Sequence, residues 1–152
     1  MRAVFVAAAA LIVTASGSAS LSSPGALARS VALEWMTGSP AHVWQTLHPA
    51  QQRVVTRAKF AYCVRVGRGQ RLYPHRVKVL NVTPVKISRA EIPQHSGWSV
   101  RLLDMQRIGD HWERNPWSLQ VVRTPHGLRW LLDKPSIDGY RRFRQSPHTC
   151  PE

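Results

Sequence analysis

The hydrophobic period of this chain changes once, at Gly67-Arg68-Gly69-Gln70, and that single change constrains the fold more than any other feature. Before it, apolar residues return every three to four positions, the spacing of one helical face. After it, they return every second position, the spacing of one face of a strand. A chain whose helices come first and whose strands follow does not alternate its elements, so it is expected to be α+β with an antiparallel sheet.

Ser22-Ser23-Pro24 opens the helical half, with a serine in the capping place and proline at the first helical position. Leu27, Val31 and Trp35, flanked by Ala28 and Ala32, draw one apolar stripe as far as Met36. Thr37-Gly38-Ser39-Pro40 ends this helix and starts a short second one, whose inner face is Val43, Trp44 and Leu47. Proline disfavours helical geometry in the residue before it, so His48-Pro49 breaks the run. Thr56 then caps a longer helix over Arg57 to Val66, with Phe60 and Cys63 or Val64 facing inward and Arg57, Lys59 and Arg65 facing water. The stretch from Ala41 to Cys63 thereby becomes the packet against which the rest is arranged.

In the second half, Arg76 to Ser88 reads as a strand, interrupted at Pro84 by a bulge or lying at an edge. Pro93 to Gly97 has turn composition. Trp98, Val100, Leu102 and Asp104 then alternate with Ser99, Arg101, Leu103 and Met105. Gly109-Asp110-His111 is a hairpin signal. Trp117, Leu119 and Val121 mark the next strand. Pro125-His126-Gly127 turns again, and Leu128, Trp130 and Leu132 mark the last strand. The tail from Pro135 is polar and arginine-rich, and is expected to be irregular and held by Cys150.

At 152 residues the length suits one domain plus a processing signal. Met1-Arg2 and the 13-residue apolar run Ala3 to Ala15, followed by Ser16-Gly17-Ser18-Ala19-Ser20, have the layout of a secretory signal. Cleavage is expected near Ala19, giving a signal peptide 1–19 and a single domain 20–152; Ala26-Leu27-Ala28 offers an alternative cut after Ala28. A membrane span needs about 20 apolar residues, so no transmembrane segment is expected in the mature chain. The expected place is secreted or the cell envelope. There, two cysteines without C-x-x-C spacing are expected to form one structural disulfide, Cys63–Cys150, with free thiols or a redox pair as the rival reading.

The formal net charge is +13 from 17 Arg and 4 Lys against 8 acidic residues, and the basic residues run from Arg53 to Arg144 without a block, with only Arg2 and Arg29 before them. Biased codon usage and a soluble surface explain this distribution, and attraction to an anionic envelope polymer or lipid headgroup is the alternative. Nucleic acid is disfavoured as a partner by the export signal. The seven histidines form no H-x-H, no H-E-x-x-H and no His/Cys cluster at zinc spacing, so no metal and no cofactor are expected. No nucleophile elbow and no phosphate loop is present. His48, ahead of Pro49, is read first as a helix-end residue bonding nearby backbone, with a general base as the rival. Most of the six tryptophans are expected in the core; Trp112, near a turn, is a candidate for a pocket mouth or partner surface.

Trp44-Gln45-Thr46-Leu47-His48-Pro49-x-Gln51, a helix ending in Phe60-x-x-Cys63, and long hairpins closing with Trp130-Leu131-Leu132-Asp133 resemble the nuclear transport factor 2-like (cone-fold, SnoaL-like) superfamily, in particular its small exported bacterial members. The resemblance covers about residues 24–135 and rests on element order more than on fixed residues. It implies helices packed on a strongly curved antiparallel sheet, with a conical pocket between them. It also implies a range of roles: enzyme, carrier or adaptor. Enzymes of that group set a strand carboxylate opposite a tyrosine or second acid, an arrangement that suits proton abstraction beside a carbonyl. Asp104 and Tyr62 are the nearest match, with a solvated or Arg101-paired Asp104 as the plainer alternative. Trp44, Trp98, Trp112 and Trp117 are the candidate pocket or partner-surface residues. The leading expectation is a non-catalytic binding or accessory module for a small apolar ligand or a protein partner. An isomerase- or cyclase-type enzyme using Asp104 and Tyr62 is a second reading. A basic protein gripping anionic polymers through Arg141-Arg142-Phe143-Arg144 is a third.

Overall fold

The computed structural model describes residues 23–68 and 75–151. The expected signal peptide, with its cleavage near Ala19, lies outside them. The element order is α1 (Pro24–Thr37), α2 (Pro40–Gln45), α3 (Pro49–Gln52), α4 (Arg57–Arg68), β1 (His75–Arg89), β2 (Ile92–Ile108), β3 (His111–Thr124), β4 (Gly127–Leu131) and α5 (Lys134–Arg142). The four strands form one antiparallel sheet in the order β1-β2-β3-β4. The class is α+β, and none of the described helices is long and apolar enough to cross a membrane.

Local chemistry accounts for the helix starts. The Ser23 hydroxyl accepts from the Ala26 amide at 3.1 Å, and Pro24 follows at the position where a missing N–H costs nothing. Thr56 accepts from the Lys59 amide at 3.3 Å at the start of α4. The α1 stripe of Leu27, Ala28, Val31 and Ala32 is buried against the sheet. Trp130 of β4 is the centre of the core. Its ring lies 5.6 Å from Trp35 and 6.1 Å from Phe60, and its indole N–H donates to Val43 O at 2.9 Å. The backbone beside it is tied as well, because Leu47 and Trp130 form a parallel bridge with bonds at both ends. The stretch Ala41–Cys63 is thus bonded to the last strand as well as packed on it. Trp35, Trp44, Trp98 and Trp117 are half-buried at the margin of this core, so of the six tryptophans only Trp130 is fully enclosed.

The structure corrects three expectations and decides a fourth. The turn read at Pro93–Gly97 lies inside β2, and the chain reverses at Ala90-Glu91 instead. Gly97 is there for a close approach: a Cβ on it would lie 2.6 Å from Val121 O and 2.8 Å from Ile87 Cδ1. Pro84 is on an edge strand as expected, but the bulge falls between Val79 and Asn81. The segment after Pro135 is not irregular. Asp133 caps α5 by accepting from the Ser136 amide at 2.9 Å, and Ile137 and Tyr140, one turn apart, are buried. Lys59 does not face water; its ammonium donates to Phe143 O at 2.9 Å and to Ser146 O, fastening the tail to α4. Cys63 and Cys150 are disulfide-bonded with Cα atoms 5.4 Å apart, closing 87 residues of chain.

Candidate functional site

β4 is short, and it pairs with β3 only over Gln120–Thr124. Trp117, Ser118 and Leu119 therefore stand beyond the end of β4, and the chain leaves that strand through Leu132 and Asp133 into α5. Between this uncovered length of β3, α1 and the β4–α5 junction lies a cavity of about 490 Å³. Its apolar wall is made by Trp35, Met36, Trp117, Leu119, Trp130, Leu131 and Leu132. That size is in the ordinary range for small-molecule sites, which are mostly apolar with a few polar groups.

Three charged side chains line it: Arg89, Asp104 and Asp133. Asp133 is occupied in capping α5. Asp104 is buried, with 6% of its surface exposed, and its partners are His75, whose Nδ1 is 3.4 Å from Oδ1, and Gln106, which donates at 3.3 Å. The partner of Asp104 is thus His75 rather than the Arg101 considered from the sequence, and both side chains of the pair are nearly enclosed. Tyr62 is not among the residues lining this cavity. Its ring meets the edge of His148 at a centroid distance of 5.0 Å, on the side where the tail returns to α4.

Arg89 comes from the far end of β1. Its Nη2 donates to Gln120 Oε1, while Nε and Nη1 are buried and have no hydrogen-bond partner. Arg89 and Gln120 also line a smaller hollow of about 440 Å³ on the α5 side, together with Glu91 and Asp138.

Glu91, in the β1–β2 turn, is the second group that the sequence did not single out. It accepts from Gln51 Nε2 at 2.8 Å and from Arg141 Nη2 at 2.9 Å. Burial opposes ionisation of this carboxyl, but the hydrogen bonds from Gln51, its own backbone and Arg141 outweigh it and hold the pKa below the ordinary value. Gln51 is fully enclosed. It also accepts from Leu132 N at 2.8 Å and donates to Leu132 O at 3.3 Å, so one side chain joins α3, the β1–β2 turn and the β4–α5 junction.

Of the tryptophans proposed from sequence, Trp117 lines the large cavity. Trp44 does not; its indole N–H donates to Val55 O at 2.9 Å and joins α2 to the turn before α4. Trp98 packs at the core margin. Trp112 lies at the opposite end of the sheet with the Arg76 guanidinium 4.7 Å above its ring, and both line a hollow of about 450 Å³ that also holds Arg29, His75, Lys78 and Arg114. Among the described residues no carboxylate lines this hollow. His48 accepts from the Ala50 amide at 3.2 Å, the helix-end role read from the sequence. Its pKa is lowered by burial first and by His95, Arg53 and Arg129 next, against a raising influence of Glu91, which favours the neutral acceptor form. Among the described residues no group of three or more His, Cys, Asp or Glu could hold a metal ion. Comparison of the chain with family models, with curated proteins and with solved structures gives no match.

Proposed function

We propose that this chain is an exported binding or accessory module that holds a small, mostly apolar ligand in the cavity between α1, β3 and the β4–α5 junction. One observation carries the reading: about 490 Å³ of space walled by three tryptophans, a methionine and three leucines, beside the buried core. Export is supported by the apolar N-terminal run and by the joined cysteines, because disulfides persist in oxidising compartments. A cut near Ala19 leaves the Ser23 cap intact, whereas a cut after Ala28 would divide α1.

Within this reading the domain is a cone-like member of the nuclear transport factor 2-like superfamily. Support comes from the helices-then-meander order and from the end of the β1–β2 hairpin, where Ile87 and Ile92 cluster with Val122 and Leu131. That packing, with the tight contact at Gly97, favours a strongly bent sheet.

Binding of the neutral fluorophore N-phenyl-1-naphthylamine tests the proposal. Fluorescence enhancement is expected to saturate at one site per chain, and Ala32→Phe, which fills the cavity from α1, is expected to abolish it. Saturable binding that survives Ala32→Phe would place the ligand elsewhere.

A second reading, an isomerase- or cyclase-type enzyme, is favoured by the position of Asp104 in the cavity wall. With Tyr62 elsewhere, His75 becomes the group that would work with this carboxylate. A turnover lost in both Asp104→Asn and His75→Gln, with fluorophore binding retained, would establish that reading.

A further inference from the structure

We propose that the ligand of the large cavity is an amphipathic monocarboxylate, its apolar body against Trp35, Trp117 and Trp130 and its carboxylate on Arg89. This inference rests on the binding-module reading and names the ligand class. The starting point is a charge without a counter-ion. Arg89 carries five N–H donors, and the three on Nε and Nη1 meet no acceptor although both nitrogens are buried. Among the described residues the one hydrogen-bond partner of the guanidinium is the neutral carboxamide of Gln120.

Every carboxylate that could neutralise Arg89 from the two adjoining hollows is committed to another group. Asp104 is held by His75 and Gln106, and Asp133 caps α5. Glu91 is bonded by Gln51 and Arg141, and Asp138 by Lys134 and Arg141. A desolvated guanidinium is costly unless paired, so an anion supplied from outside the chain would be bound strongly there.

The planar fork suits a carboxylate, which can meet Nε along one edge or Nη1 along the other while the Gln120 bond is kept. The neighbouring wall is aromatic and aliphatic, so the rest of such a molecule would be apolar. Arg89 reaches this cavity from the β1–β2 tip and Gln120 from the middle of β3, so the receptor exists only when the hairpin end is packed on β3.

Calorimetric titration with 2-naphthoate and with its methyl ester tests the assignment, since the two share a body and differ in charge. At about 0.5 M salt, binding of the acid to exposed arginines is screened. The acid is expected to bind about tenfold or more tighter than the ester, the scale of a charge-assisted pair in a dry site. Arg89→Gln should bring the acid down to the ester and leave ester affinity within about threefold, whereas the exposed-site control Arg123→Gln should change neither. Arg89→Lys, which keeps the charge, should retain part of the preference. Equal affinities in the unmodified protein would overturn the carboxylate assignment and leave the apolar cavity standing; that comparison needs no variant to fold. Binding of neither compound would remove both readings, and an acid preference surviving in Arg89→Gln would move the anion site elsewhere.

Discussion

Replacing Gln51 by methionine removes a fully enclosed polar hub while nearly conserving volume. Three hydrogen bonds disappear: the one accepted from Leu132 N and the two donated to Leu132 O and Glu91. The orphaned Leu132 amide is the main cost, about 1–3 kcal/mol for a buried donor left without an acceptor. Glu91 keeps Arg141, so its loss is the smaller part, roughly 1 kcal/mol. The added apolar surface of methionine returns about 1 kcal/mol. The expected destabilisation is then about 1–3 kcal/mol, a large share of the 5–15 kcal/mol typical of a folded domain. Urea unfolding followed by tryptophan fluorescence reads it directly: with a slope of about 2 kcal/mol/M, the midpoint should fall by roughly 0.5–1.5 M. A double-mutant cycle with Glu91→Gln should show coupling of about 1 kcal/mol, since the two side chains share a bond. An unchanged slope with a midpoint shift below about 0.2 M would refute the view that Gln51 joins these three segments.

Acid titration follows the same cluster. Because the folded pKa of Glu91 lies below the ordinary 4.5, its contribution is complete above that pH and disappears as pH falls through the lowered folded value; Glu91→Gln should flatten this part of the acid unfolding curve. At the alkaline end, burial raises Tyr140 to about 12, so its contribution is present below the ordinary 10.0 and is lost between those two values; Tyr140→Phe should remove that alkaline loss, as read by thermal melts against pH. Cys63→Ser with Cys150→Ser should lower stability by up to about 4–5 kcal/mol, the chain-entropy value for the closed loop, and denaturant unfolding with and without reductant measures it. Gly97→Ala should cost about 1–3 kcal/mol, because Val121 O and Ile87 block the new methyl group; a neutral result in the same assay would show that β2 can move away.

The parts of the fold legible in the sequence are those fixed by neighbours along the chain. Ser23-Pro24, the two-residue turn at Gly109-Asp110 and the strand alternation through Val100 and Leu102 each carry their own signal, and each is present in the structure. The reversal at Ala90-Glu91 was hidden because neither residue is a turn former. Pro93 and Gly97 nearby supplied a stronger but misleading cue, and Gly97 is required by packing rather than by a turn. The capping signal of α5, Asp133 followed by Pro135, was present but masked by the arginine-rich composition behind it. Asp104 could be found by alternation alone. Arg89, Gln51 and Glu91 could not, because each acquires its role from a contact 31 to 81 residues away along the chain. Nothing local distinguishes this arginine from the other sixteen.

The second sulfur, at residue 150, follows every strand and the last helix in the order of synthesis. Native cross-linking must therefore wait until β1 to α5 have left the ribosome, and an oxidant acting earlier finds Cys63 alone. Oxidation state thereby becomes a marker of completed biogenesis, and a trapped mixed disulfide at Cys63 would identify chains whose C-terminal segment has not yet returned to α4.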